Sequence, residues 1–239
     1  MPHKSMDYQD NRKTHTPIFN VPSVIILIVM MCVAAFVVPE YLFSQSLFGA
    51  FYTYFAFIPE FFGNAFWRFC YTPITYSFMH GGIMHIAVNM MWLVIFGSPL
   101  ANRIGAIRFV VFWCVCSIVA ALAHFAMYPD SYSPMVGASG AISGLMGAAA
   151  RYGFSQVSEQ GYENRSEFAG PILSVTQSLK SRSVAIFLIT WIIIDIITGL
   201  AYPSVSGEGS SIAWVAHIGG MVAGFFVIGI FDTKRKKVI

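Results

Sequence analysis

Apolar runs of membrane-spanning length recur along this chain and limit what it can fold into more than any other feature. A helix needs about 20 apolar residues to cross the hydrocarbon core of a bilayer. Such runs stand at 21–38, 83–98, 107–127, 139–152, 183–202 and 212–231, the second and fourth short enough to need their flanks. Only 10% of the 239 residues are charged, where a soluble domain carries about a quarter. That deficit excludes one or two ordinary soluble domains. The Lys and Arg residues lie singly or in short groups between apolar runs, so they form no nucleic-acid patch. Polar residues 1–20 precede the first run without a small-residue cleavage pattern, so no cleavable secretory signal is expected. The cysteines Cys32, Cys70, Cys114 and Cys116 fall mostly inside apolar runs and are read as packing groups, not a disulfide framework.

Charge placement decides the number of crossings, because cytoplasmic loops carry the excess of Lys and Arg. Six crossings with the N-terminus inside put 13 of the 14 basic residues on the cytoplasmic side, leaving only Arg68 outside. The aromatic stretch "YLFSQSLFGAFYTYFAFIPEFF" at 41–62 competes as a seventh crossing, but it would leave only 4 of the 14 inside. It is therefore expected in or on the outer leaflet, where aromatic rings suit the headgroup region. Expected, then, is an all-α, polytopic membrane protein with a six-transmembrane-helix bundle over residues 21–231. A cytoplasmic tail over residues 1–20 precedes it. Residues 153–182 form a cytoplasmic loop, and 232–239 a basic cytoplasmic tail carrying "KRKK" as a topology anchor. No internal repeat and no second soluble domain is evident.

With that topology several polar residues fall at one depth. In "MVGASGAISGLMGAAA", Ser139 opens the fourth segment at its outer end. The sixth also enters from outside, placing His217 about five residues, or roughly 8 Å, below the surface. The second runs inward from "HGGIMHIAVNM", bringing His80, His85 and Asn89 to the same outer third. Polar groups in hydrocarbon are costly, so they face a protein interior or a water-filled cavity. Each has a plain alternative: Ser139 as a small packing residue, His217 as a hydrogen-bonded core histidine. The spacing of His80, His85 and Asn89 lacks the histidine pair at i, i+4 with its glutamate, so no metal is expected.

Together they fit nucleophilic catalysis. A serine hydroxyl needs a neighbouring base, and neutral imidazole serves near pH 7. The start of a helix leaves backbone N–H groups unpaired beside Ser139. With the Asn89 amide and His85, those donors would stabilise a developing oxyanion. Gly137 and Gly140 keep bulk away from the hydroxyl. Ser143 shares the helix face of Ser139 but sits one turn, about 6 Å, deeper, where water is scarcer.

"GASG", "HGGIMHIAVN" and "AHIGGMVAG", in these segments and this order, resemble the rhomboid intramembrane serine proteases. Gly220 and Gly224 match the family's H-x-x-G-x-x-x-G packing pattern, and "FWR" at 66–68 resembles the Trp-Arg pair of its first outer loop. The resemblance implies a Ser–His dyad of Ser139 and His217, with His85 and Asn89 lining the oxyanion site and His80 supporting. It implies cleavage of single-span membrane proteins near the outer face of their transmembrane segment, without metal, ATP or other cofactor. It also implies that substrates arrive from the lipid past the fifth segment, where Phe187 and Trp191 would form a packed gate, the alternative being lipid-facing filler.

Two positions depart from the family. Ser143 stands where an aromatic often packs on the catalytic histidine, and the Trp67-to-His80 separation is about four residues longer than usual. Short loops favour a bacterial inner membrane. The competing readings are a non-catalytic rhomboid-like protein that binds transmembrane clients, and a small transporter using intramembrane His and Asp residues. Asp195, in "WIIIDIITGL", is expected to face the bundle in a structural hydrogen-bonding role. A depth count places it below His217, too deep for a third catalytic member.

Overall fold

The computed structural model describes residues 21–154, 156–158, 166–168, 171–201 and 213–232. The two expected tails, 1–20 and the "KRKK" segment, lie outside the described residues.

Among those residues four helical stretches are long and apolar enough to span a bilayer: Ser23–Leu42, Ile83–Ile104, Ala106–Met127 and Trp214–Phe231. The first is α1. The second is composite: α6 (Ile83–Trp92) continues through a π-helical turn (Leu93–Gly97) into α7 (Ser98–Ile104). This continuation supplies the length that the apolar run 83–98 lacked. The third is α8 (Ala106–Met127), and the last belongs to α12 (Ala213–Phe231).

The fourth apolar run forms α9 (Ser139–Arg151), only 13 residues and roughly 20 Å long. Twelve of its residues are buried, so protein and not lipid surrounds it. It packs mainly on α12, then on α8. Glycine makes the α9–α12 crossing backbone to backbone. A Cβ on Gly220 would strike the Gly140 carbonyl, and one on Gly224 the Gly144 carbonyl. From the other side, a Cβ on Gly147 would strike the Met221 carbonyl. Where no hydrophobic force separates helix from lipid, such close approach is what holds helices together. The fifth run forms α11 (Arg182–Ala201), beside α12 and α9.

The aromatic stretch at 41–62 does not form one long helix. It breaks into α2 (Gln45–Phe55) and α3 (Pro59–Asn64), separated by extended residues. At 11 residues α2 covers about 16 Å, too little to cross. None of its residues is buried. Two one-turn helices, α4 (Phe66–Phe69) and α5 (Thr72–Thr75), complete this layer. Trp67 on α4 is 89% exposed, and the Arg68 guanidinium donates to the Tyr54 hydroxyl and lies over its ring.

At the opposite end, the polar stretch 153–182 contains a small antiparallel pair, β1 (Gln156–Ser158) with β2 (Ser166–Phe168). It also contains α10 (Val175–Lys180), which starts in a capping box between Ser174 and Gln177. Arg103 of α7 forms an ion pair with Asp232, just beyond α12, at 3.0 Å. The Tyr152 hydroxyl donates to the same carboxylate, and Arg103 donates to the Phe168 carbonyl. Arg151 donates to the carbonyls of Leu173 and Phe225. Four elements and the loop at Leu173 are thereby tied at one end of the bundle.

Candidate functional site

Three helices meet at the other end. Ser139 is the first residue of α9, after Ala138, which offers no side-chain cap. The N–H groups of the first helical turn are thus open beside the Ser139 hydroxyl. The segment leading into α9 is held in place from two sides. Phe57 and Met135 exchange backbone hydrogen bonds of 3.1 and 2.9 Å, and the Gly137 N–H donates to the Tyr76 carbonyl at 3.1 Å. Tyr76 is buried, and its hydroxyl donates to the Ser117 carbonyl of α8.

From α12, His217 presents Nε2 to Ser139 Oγ at 2.8 Å. A hydroxyl donating to an imidazole nitrogen is arranged for that nitrogen to take the proton as oxygen attacks a carbonyl. Ser139 and His217 are 78 positions apart in the chain and belong to separate helices. The glycine-lined α9–α12 crossing sets their distance, with the Gly140–Gly220 contact one residue beyond Ser139 and three beyond His217.

His85 comes from α6. A Cβ on Gly137 would lie 2.7 Å from His85 Nε2 and 3.5 Å from Ser139 Oγ, so imidazole and hydroxyl flank one point. Gly137 is required twice over, since its φ of +127° also lies where side chains are strained. Gly140 is equally confined: a Cβ there would sit 2.8 Å from the Tyr76 hydroxyl and 2.8 Å from Ala120 Cβ.

Asn89, 4% exposed, donates through Nδ2 to the His85 carbonyl one turn earlier. It thereby steadies the turn that carries His85. His80 is buried edge-to-face against the His85 ring, centroids 5.2 Å apart, and the Tyr52 hydroxyl donates to its carbonyl at 3.0 Å. His80 therefore backs His85 from behind. Ser143 is buried one turn deeper in α9.

Asp195 corrects the depth count. It is 5% exposed, whereas Ile193, Ile194 and Ile197 around it are 45–59% exposed, so it faces the bundle as expected. Its Oδ1, however, lies 2.9 Å from His217 Nδ1. Counting from opposite membrane faces gave the two residues axial positions only about 4 Å apart. Two side chains bridge that offset easily. The lone carboxylate was visible in the sequence, but its partner was not.

Comparison with known proteins places the chain in one family. The Rhomboid domain model matches residues 63–233. This chain belongs to the rhomboid family. Relatives include the rhomboid protease GluP of Bacillus subtilis (strain 168), 31% identical over 67% of this chain and 25% of its own length. The RHOMBOID-like protein 6, mitochondrial, of Arabidopsis thaliana is 31% identical over 68% of this chain and 43% of its own length. The rhomboid protease GlpG of Serratia proteamaculans (strain 568) is 24% identical over 71% of this chain and 49% of its own length. The chain thus spans between a quarter and a half of the length of these relatives. Family membership and the apolar helices identify it as an integral membrane protein.

Proposed function

We propose that this rhomboid is an intramembrane serine endopeptidase that cuts single-span membrane proteins near the outer face of their transmembrane segment. The observation that carries the reading is the 2.8 Å contact between Ser139 Oγ and His217 Nε2 at the open start of α9. In this reading α9 and α11 join the four long spans as six crossings. Both termini are cytoplasmic and the membrane is a bacterial inner membrane. The split of 13 basic residues inside and one outside supports that orientation.

The substrate's scissile carbonyl lies beside Ser139. Oγ attacks the carbonyl carbon as Nε2 of His217 takes the hydroxyl proton. The oxyanion faces the first-turn N–H groups of α9, His85 and the Asn89 amide, donors fixed before the charge develops. The imidazolium then gives its proton to the leaving amine, the C–N bond breaks, and an acyl-enzyme remains. Water, reaching Ser139 from the outer end, attacks the ester with His217 again as base. This step releases the new carboxyl end and restores the hydroxyl. No metal or cofactor enters the scheme.

The test uses the purified protein in detergent with a single-span reporter and a fluorophosphonate probe. Ser139→Ala and His217→Ala each abolish cleavage, with the double variant no worse than either, because the pair acts as a unit. Ser143→Ala remains active. The probe labels wild type and Ser143→Ala but not Ser139→Ala. Labelling that survives loss of Ser139 and vanishes with Ser143 overturns the assignment. A folded wild type that binds the reporter but never cuts it favours a non-catalytic client binder instead.

A further inference from the structure

We infer that Asp195 is the positioning residue of the His217 base, so that this rhomboid works through an intramembrane Ser139–His217–Asp195 relay and not an unassisted pair. The inference rests on the reading of Ser139 as nucleophile and His217 as base.

Both ring nitrogens of His217 are engaged, Nε2 by Ser139 Oγ at 2.8 Å and Nδ1 by Asp195 Oδ1 at 2.9 Å. A neutral imidazole has one N–H and one lone pair, and which nitrogen carries which is set by its partners. An ionised carboxylate only accepts hydrogen bonds. Opposite Nδ1 it holds the N–H there and leaves the lone pair on Nε2, facing the serine. The reversed tautomer would point an N–H at Ser139 Oγ and leave no base for its proton. During attack Nε2 gains that proton, and the positive ring then sits against the Asp195 carboxylate. The carboxylate keeps its charge throughout, and no proton passes to it.

The placement argues against a purely structural cross-link. The bond joins α11 to α12, and Asp195 is turned inward from a helix on which Ile193, Ile194 and Ile197 are exposed. A carboxylate within a membrane helix is costly, so it is kept where it is paired and functional. An Asn or Ser would link the helices at less expense, but neither would stabilise the imidazolium. Among the described residues, the titratable groups facing His217 are Asp195 from α11 and His85 from α6, with the Ser139 hydroxyl from α9. His85 is unchanged in every variant compared, so any difference reports on Asp195.

The experiment compares purified wild type, Asp195→Asn, Asp195→Glu and Ser139→Ala in proteoliposomes. It measures kcat and KM for a single-span reporter, the rate of fluorophosphonate labelling between pH 5 and 10, and thermal unfolding. Asp195→Asn should lower kcat by about 10²–10⁴-fold, the upper figure being the loss seen when a serine protease triad loses its carboxylate. KM stays near the wild-type value, and labelling slows in parallel. The acid limb of the labelling profile moves to lower pH, because the imidazolium has lost its counter-charge. Asp195→Glu regains part of the rate. If Asp195→Asn is too unstable to purify, the position of the acid limb in Asp195→Glu and Asp195→Ser carries the test. The proposal is overturned by an unmoved acid limb with wild-type kcat, or by a rate loss that only tracks the folded fraction. Activity that survives in Ser139→Ala overturns the Ser–His reading itself. Activity lost in Ser139→Ala but intact in Asp195→Asn overturns only the role of Asp195.

Discussion

Gly137 shows how tightly one residue can be bound to a site. Its φ of +127° disfavours any side chain, and a Cβ would meet His85 Nε2 at 2.7 Å. The backbone strain alone costs about 1–2 kcal/mol. The larger effect falls on the imidazole, which must swing away from the space it shares with Ser139. Gly137→Ala should therefore reduce kcat/KM by more than tenfold while lowering the unfolding temperature only modestly. Kinetics beside a thermal melt check this, and a large melting loss with unchanged kcat would sink it. The sequence marked Gly137 as a small neighbour of the nucleophile. Its positive φ and its contact with His85 depend on how α6 approaches α9, which spacing along the chain does not encode.

Two elements of the bundle invite opposite predictions. Along α12, Gly224 abuts the Gly144 carbonyl of α9, while Gly229 has nothing within 4 Å. Neither backbone can yield at the first position. Gly224→Ala should destabilise by at least about 3 kcal/mol, the upper end for overpacking, and lower the yield of folded protein. Gly229→Ala should be neutral or slightly stabilising, as alanine is the better helix former. Equal melting temperatures for the two variants would refute a glycine-dependent crossing. On α11, Phe187 and Trp191 stack at 12° and meet Trp92 and Phe96 of the α6–α7 span at 5.5 and 6.2 Å. If substrates come from the lipid between these helices, Phe187→Ala or Trp191→Ala should raise turnover of a membrane-embedded reporter by loosening the gate. A stable variant with unchanged or lower kcat speaks for simple packing.

At the scale of the whole molecule, the two ends of the bundle divide the work. One end holds Ser139, His217, His85 and Asp195, and the other is tied by Arg103, Asp232, Tyr152 and Arg151. The Arg103 and Asp232 side chains are only 9% and 0% exposed. Removing one partner of such a pair costs about 3–5 kcal/mol, whereas replacing both with apolar groups is often neutral. Asp232→Leu should therefore lower the melting temperature sharply, and Arg103→Met with Asp232→Leu should recover much of the loss. The pH profile of whatever remains folded should match wild type, because the pair lies at the end away from His217. A shifted profile would show that the two ends are coupled.

The sequence alone was enough for the apolar segments, for reading 41–62 as something other than a crossing, and for the residues on the three helices that meet. Those features are written locally: run length, turn residues and charge flanks act within one segment. The basic-residue asymmetry supports the proposed orientation through a rule about whole loops. Three features were decided only by the tertiary structure. One is the extension of the second span through a π turn to Ile104, which depends on how that helix packs. Another is the full enclosure of the short α9, possible because its glycines let α12 rest on its backbone. The third is the contact of Asp195 with His217. Depth along a helix axis is a one-dimensional estimate, whereas a hydrogen bond depends on tilt, rotation and side-chain reach in three dimensions. Residues near in depth become partners only when the packing of α11 against α12 turns them toward each other.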